Sequence, residues 1–486
     1  MNENTEASNR PHIILFLSDQ HNATVMDCAG DPWIQTPHLD ALARAGCRFS
    51  NAYCNSPVCG PSRMSLLTGQ SPLRNGVLNN RQSLASHIPT FAHSLAAAGY
   101  ETVLCGRMHF IGADQQHGFA ERLVGDIGPI DPAFAEIETG TFNHSTGQGK
   151  ETLAFNGPGH CPANQYDREV VDAACARIQK QDPTKPLFMV VGTYAPHNPY
   201  VCAPEVFAKY QKILPPPDLK AINEAHQTAH PALRSWLEAR NMLNPNLEEL
   251  HRARVAYYGM VEEMDRQIGQ LSDAVEDHLN FDRTYFGYTS DHGDLMGHHA
   301  MFWKSCFLEG AAKVPLLWRG PGIAPNQTSD ALVSLLDLAP TLTQWADAPD
   351  LPAAEGQSLA PFMASDPVSP PQERCIHSVL IDPRTGPSLM LRQGPYKVVY
   401  YGRYPEPQWA DLRQGDIWEA KTESPPVDLV GKIPAGWNPT ALEELDQQIK
   451  ANGPIFRAAR TKPLSPPAYQ WSPDPQQFSL ANLEKE

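Results

Sequence analysis

One short segment of this 486-residue chain brings together residue types that could carry nucleophilic chemistry. In Cys59-Gly60-Pro61-Ser62-Arg63, Pro61 suits the first turn of a helix. Cys59 would then stand at the helix N-terminus, where backbone N–H groups favour an anion and a reactive thiol. A lone cysteine is more often a small buried hydrophobe, so this segment does not decide by itself. Other polar residues fall directly after stretches that read as strands: Asp19 and Gln20, Arg107 and His109, His197, and Asp291 and His292. Two carboxylates brought together without a cation would repel and raise each other's pKa. A hard divalent ion removes that penalty, and oxygen-rich donors favour calcium or magnesium over zinc.

The elements that would position these residues alternate over about the first 350 positions. Short apolar runs at Ile13–Ser18, Glu101–Cys105, Leu187–Gly192, Thr284–Thr289 and Val314–Arg319 have strand length. Between them lie helical patterns: one from Pro37 with Leu39, Leu42 and Ala43 on a face and Gly46 as its stop, and one from Phe91 to Ala98 closed by Gly99. The longest runs from Val255 to about Asp277, with Val261, Met264, Ile268, Leu271 and Val275 every three or four residues. Alternation of this kind predicts an α/β fold, a large, mostly parallel sheet sandwiched by helices, with its site beyond the carboxyl ends of the strands. From Asp366 the texture changes: Pro367, Pro370 and Pro371 precede alternating stretches such as Lys397–Tyr401 and a helical pattern around Thr440–Ala451. The expected division is therefore a catalytic α/β domain over 1–365 and a smaller C-terminal α+β subdomain and tail over 366–486.

Cys-x-Pro-Ser-Arg followed by Leu66-x-Thr68-Gly69 resembles the signature of the type I sulfatases of the alkaline phosphatase superfamily, in which the cysteine becomes Cα-formylglycine. "PHIILFLSDQH", "TPHLDALARAGCRFSNAYC", "GYETVLCGRMHF", "YAPHNPY" and "TSDHGDLMGHH" resemble the other site segments of that family, so the likeness spans about Pro11 to Asp347. It implies a sulfate ester hydrolase with one divalent metal, held by Asp19, Gln20, the modified Cys59, Asp291 and His292. Calcium is the first expectation. Gln20 stands where many relatives carry aspartate and His292 where many carry asparagine, and the nitrogen donor makes manganese an alternative to calcium or magnesium. The resemblance further implies that Arg63 orients the nucleophile, that Arg107 (usually lysine) and Lys304 clamp the sulfate, that His109 is a base, and that His197 is the acid for the leaving group, a role Lys304 could share. Maturation would require a formylglycine-generating enzyme. "GRMHFIGADQQHGFAERLVGDI" and "FWKSCFLEGAAKVPLL" look most similar to choline sulfatases, which implies a small alkyl sulfate such as choline-O-sulfate; aryl sulfates, phosphonate monoesters and phosphodiesters are the alternatives within the fold.

The remaining composition narrows the setting. Net charge is −16 with no basic stripe, which argues against nucleic acid as a partner. The first ten residues lack a basic start and an apolar stretch, and no apolar run is long enough for a membrane span, so a cytoplasmic protein is expected. Ten cysteines without a CxxC repeat fit reduced thiols, and Cys54 reads as a core residue; His298 and His299 read as loop residues. The proline-rich tail suits packing across a subunit interface in a homo-oligomer.

Overall fold

The computed structural model describes residues 10–127, 147–368, 373–382 and 385–416, with the single residue 447. Fourteen strands occur among them. The main sheet contains β1 (His12–Ser18), β2 (Cys47–Tyr53), β3 (Glu101–Gly106), β4 (Glu121–Arg122), β6 (Leu187–Gly192), β8 (Thr284–Ser290), β9 (Leu316–Arg319) and β10 (Gln327–Ser334), whereas β5 (Gly157–Pro158) and β7 (Val201–Cys202) form a separate two-residue pair. Its order is β10-β2-β9-β8-β1-β6-β3-β4. Only β9 runs against its neighbours, pairing antiparallel with both β8 and β2. The other contacts, β1 with β6 and β8 above all, are parallel.

Both faces of the sheet are covered, and the central strands show why their sequences lack polar alternation. Along β1, Ile14 and Phe16 enter one core while Ile13, Leu15 and Leu17 enter the other. The first core takes the helices Pro37–Ala45, Pro162–Gln179 and Leu247–His278; the second takes Cys59–Thr68, Phe91–Ala97 and Leu338–Trp345. The long helix begins eight residues before the apolar periodicity does, because Asn246 caps it, accepting from the N–H groups of Glu248 (3.0 Å) and Glu249 (3.4 Å). Gly46 ends the Pro37 helix, as expected, in extended rather than left-handed backbone. Its φ is −156°, and a Cβ there would lie 2.1 Å from the carbonyl oxygen of Trp318 on β9.

A second sheet, the antiparallel meander β11 (Cys375–Asp382), β12 (Gly386–Gln393), β13 (Tyr396–Tyr401) and β14 (Tyr404–Asp411), forms the small C-terminal subdomain. It is not independent of the rest: Ile376, Leu380, Met390, Val399 and Ala410 belong to the first core. The helical pattern around Thr440–Ala451 lies outside the described residues, apart from position 447. Among the described residues, no helix is long and apolar enough to cross a membrane.

Candidate active site

The parallel register delivers the candidate residues together. Ser18 of β1 pairs with Ser290 of β8, so Asp19 and Asp291 leave adjacent strands at the same level, and Gly106 of β3 pairs with Gly192 of β6 just before Arg107 and Thr193. The chain turns abruptly there, with left-handed backbone at Gln20 (φ 72°) and His109 (φ 63°), a conformation rare outside glycine. The helix Cys59–Thr68 is buried along its whole length and points its N-terminus at this corner. That total burial is the cause of its weak amphipathicity.

Cys59 is 1% exposed. Its Sγ lies 3.2 Å from His292 Nε2, 3.3 Å from Lys304 Nζ and 3.6 Å from Asp19 Oδ1. Burial, reinforced by Asp19, pushes its thiol up to about 11, so the unmodified side chain is a thiol here. His292 donates Nδ1–H to the Gly293 carbonyl at 3.1 Å, which leaves the Nε2 lone pair facing the sulfur and, at 3.6 Å each, Oδ1 of Asp19 and of Asp291. Three electron-rich atoms therefore converge beside the sulfur, of which Asp291 Oδ1 also accepts from the backbone N–H groups of Gln20 (3.1 Å) and His292 (2.9 Å). The ligand atoms of Asp19, Cys59, Asp291 and His292 all lie within 4.8 Å of one another. Such a donor set fits a divalent cation, with the neighbouring ring nitrogen held by a carbonyl as metal-bound histidines usually are.

Cations surround the two carboxylates. Arg63, wholly buried, donates Nε to Asp291 Oδ2 (2.7 Å), Nη2 to Asp19 Oδ2 (3.3 Å) and Nη1 to the Arg107 carbonyl (2.7 Å). Arg107 donates Nε to Asp19 Oδ2 at 2.6 Å. Burial alone would raise the Asp19 carboxyl, but the charges of Arg107, Arg63 and Lys304 outweigh it and hold it well below the usual range.

Three expected residues have second engagements. Gln20 donates Nε2 to Asp294 Oδ2 (2.5 Å) and Tyr200 Oη (3.4 Å), which turns its Oε1 to accept from Lys304 Nζ at 2.5 Å. An ion taking that oxygen would share it with the ammonium. His109 accepts from Arg107 Nη2 at Nδ1 (3.0 Å) and donates Nε2 to the Asn80 carbonyl (3.2 Å); burial, then Arg107, lower it to about 4. His197 donates Nδ1 to the Asn198 carbonyl (2.7 Å), so Nε2 carries its lone pair, and burial with Lys304 beside it keeps the ring neutral.

Several participants escaped the sequence reading. Asp126 accepts from Arg107 Nη1 (3.0 Å) and from the N–H groups of Met108 (3.1 Å) and His109 (2.5 Å), and Asn80 Oδ1 accepts from Gly60 N at 2.8 Å, bracing the helix start. Asp167 accepts from the N–H groups of Tyr194 (2.6 Å) and Ala195 (2.7 Å), fixing the turn that carries His197. For Asp126 a signal existed: it follows β4, whose two residues are too few to read as a strand. Cys54 lies buried with its thiol pushed far up by burial, and His298 and His299 sit in a short turn.

A doubly covered parallel sheet with a buried acceptor cluster, a cysteine at a helix start and three converging cations is an arrangement suited to hydrolysis of an anionic ester. The model of the sulfatase family matches residues 11–348. A choline-sulfatase of Rhizobium meliloti (strain 1021) is 32% identical over 417 residues, 82% of this chain and 79% of that protein. Arylsulfatase K of Xenopus laevis is 27% identical, over 91% of this chain and 82% of that protein. In fold, the chain is similar to the phosphonate monoester hydrolase of Agrobacterium radiobacter, with a TM-score of 0.71 at 21% identity, over 91% of this chain and 96% of that one. The chain belongs to the sulfatase family of the alkaline phosphatase superfamily and is a sulfuric ester hydrolase.

Proposed function

We propose that the protein hydrolyses a small alkyl sulfate, choline-O-sulfate first, through a Cα-formylglycine made from Cys59 and one divalent ion, calcium ahead of manganese or magnesium. The observation that carries this reading is the cluster of Cys59 Sγ, the His292 lone pair and two carboxylate oxygens within 4.8 Å of one another, with Lys304 on the sulfur. Asp19, Asp291 and His292 would hold the ion, with Gln20 a fourth donor when its oxygen is shared with Lys304. The ion would supply charge for the developing oxyanions and acidify an oxygen bound to it. Formylglycine at position 59 would supply, once hydrated, a hydroxyl nucleophile for sulfur and a second hydroxyl through which the sulfate could be released.

The chain's own side chains do the rest. Arg63 ties both carboxylates into one rigid unit, and Arg107 and Lys304 aim N–H donors at the sulfate oxygens; donors of this kind are each worth roughly 3–4 kcal/mol of barrier. His197, neutral in the free protein, gains proton affinity beside an anionic ester and passes the proton to the leaving alcohol. His109 can act as a base only when Arg107 lets go of Nδ1, the ring nitrogen that carries the lone pair. The substrate reading rests on similarity to the choline-sulfatase and on the two segments quoted above.

The test is release of inorganic sulfate from choline-O-sulfate by protein co-expressed with a formylglycine-generating enzyme, beside an aryl sulfate, a phosphonate monoester and Cys59→Ala. Turnover of choline-O-sulfate above the others, lost in Cys59→Ala, is the expected result. Preference for the aryl or phosphonate ester would overturn the substrate but leave the site reading standing.

A further inference from the structure

The segment around Lys304 has an unusual backbone. Between residues 296 and 305, Met296, His299, Ala300, Trp303 and Ser305 all have positive φ, from 49° to 65°, and none is glycine. Residues take this conformation in such numbers only where their surroundings impose it. Lys304 sits between two of them, Trp303 (63°) and Ser305 (65°), and is 2% exposed. Its main chain is held from elsewhere: Trp236, on the helix Pro231–Ala239, donates its indole N–H to the Lys304 carbonyl at 3.0 Å. Ser305 N donates to the Pro57 carbonyl at 3.3 Å, two residues before Cys59.

Trp236 is itself fixed. It is 1% exposed, its ring centroid lies 6.2 Å from that of Trp303, and the Arg240 guanidinium stands 4.0 Å over its face. Arg240 in turn donates Nη2 to Asp382 Oδ2 at 3.2 Å, at the end of β11. A continuous chain of contacts thus runs from the C-terminal sheet to the lysine that touches the nucleophile. A hydrophobic filler in place of Trp236 would need no N–H, and a lysine on an ordinary loop would need no such brace.

We propose that Trp236, backed by Arg240 and Asp382, is a positioning residue that sets the Lys304 ammonium against Cys59 Sγ and Gln20 Oε1. The inference rests on Lys304 serving the hydrolysis proposed above. Trp236→Phe keeps an aromatic ring and removes the donor. In the matured enzyme it should lower kcat/KM by roughly tenfold, and Trp236→Phe on a Lys304→Ala background should cost nothing further, the non-additivity expected of residues that act as a unit. The dependence of rate on leaving-group pKa should shift toward that of Lys304→Ala, which loss of stability alone would not do. Hydrogen exchange of the peptide 296–307 in the unliganded protein should quicken in Trp236→Phe while that of β1 and β8 is unchanged. Losses that multiply in the double variant, or an unchanged exchange rate in that peptide, would overturn the proposal. A wild type that turns over no sulfate ester would instead sink the functional reading, and the exchange experiment would still decide whether Trp236 holds the segment.

Discussion

Arg107 concentrates the residue-scale argument. Its guanidinium is shared among Asp19, Asp126 and His109, a planar arrangement that an ammonium cannot reproduce. Arg107→Lys should keep the charge yet lower kcat/KM by about tenfold, roughly 1.4 kcal/mol of barrier. Asp126→Asn should cost a similar amount by freeing the same fork, and steady-state kinetics with wild-type values in both would remove the fork from the account. At the ion site, Asp291→Asn should purify without bound metal by elemental analysis, because Asp291 also anchors Arg63; a retained stoichiometric ion would contradict the ligand set. The residues legible in advance were those that follow a strong strand signal or sit in a motif, such as Asp19, Cys59 and Asp291. Asp126, Asn80 and Trp236 were not, since their roles come from loops and helices meeting across many positions of sequence. Gln20 shows the limit from the other side: its type and place suggested a ligand, while Asp294 and Tyr200 dictate which way its amide faces.

Among the elements, the central strands announced themselves because both faces are apolar, whereas β2, β10 and β4 did not. β2 alternates buried with half-buried positions, the first half of β10 is partly exposed, and β4 has two residues. The reversal of β9 left no mark in its composition, for an apolar strand buried on both faces reads alike in either direction. A prediction belongs to β1. His12 opens that strand and accepts from Leu187 N at 3.0 Å, and burial, then Arg283, lower its pKa to about 4. The unfolded chain binds this proton below about pH 6.5 and the folded one only near 4, so stability drains away as pH falls through that window and is intact above it. His12→Asn offers an acceptor without a titration. Its melting temperature should therefore fall less than the wild type's between pH 7 and pH 5, by roughly 2 °C; parallel losses in calorimetry would contradict the assignment.

On the scale of the molecule, the two sheets share one core, so a single cooperative calorimetric transition is expected. Lys397 of β13 is the polar counterpart of that shared core. Fully buried, it donates to the Phe307 carbonyl and to Glu309 Oε1 at 2.8 Å, while Tyr53 Oη donates to the other Glu309 oxygen at 2.5 Å. Lys397→Met should cost about 3 kcal/mol by leaving the Phe307 carbonyl and one Glu309 oxygen without their donor, and turnover should fall with it because the same segment carries Lys304. A melting temperature within a degree of wild type would show the bridge to be dispensable.

The closed environment of Cys59, at 1% exposure on a helix with no exposed face, has a consequence for how the protein is made. On the formylglycine reading proposed above, a maturation enzyme would have to reach that side chain before the sheet closed over it. On that reading each molecule's fate would be decided during synthesis, and the active fraction of a preparation would record the race between conversion and folding in the cell that made it.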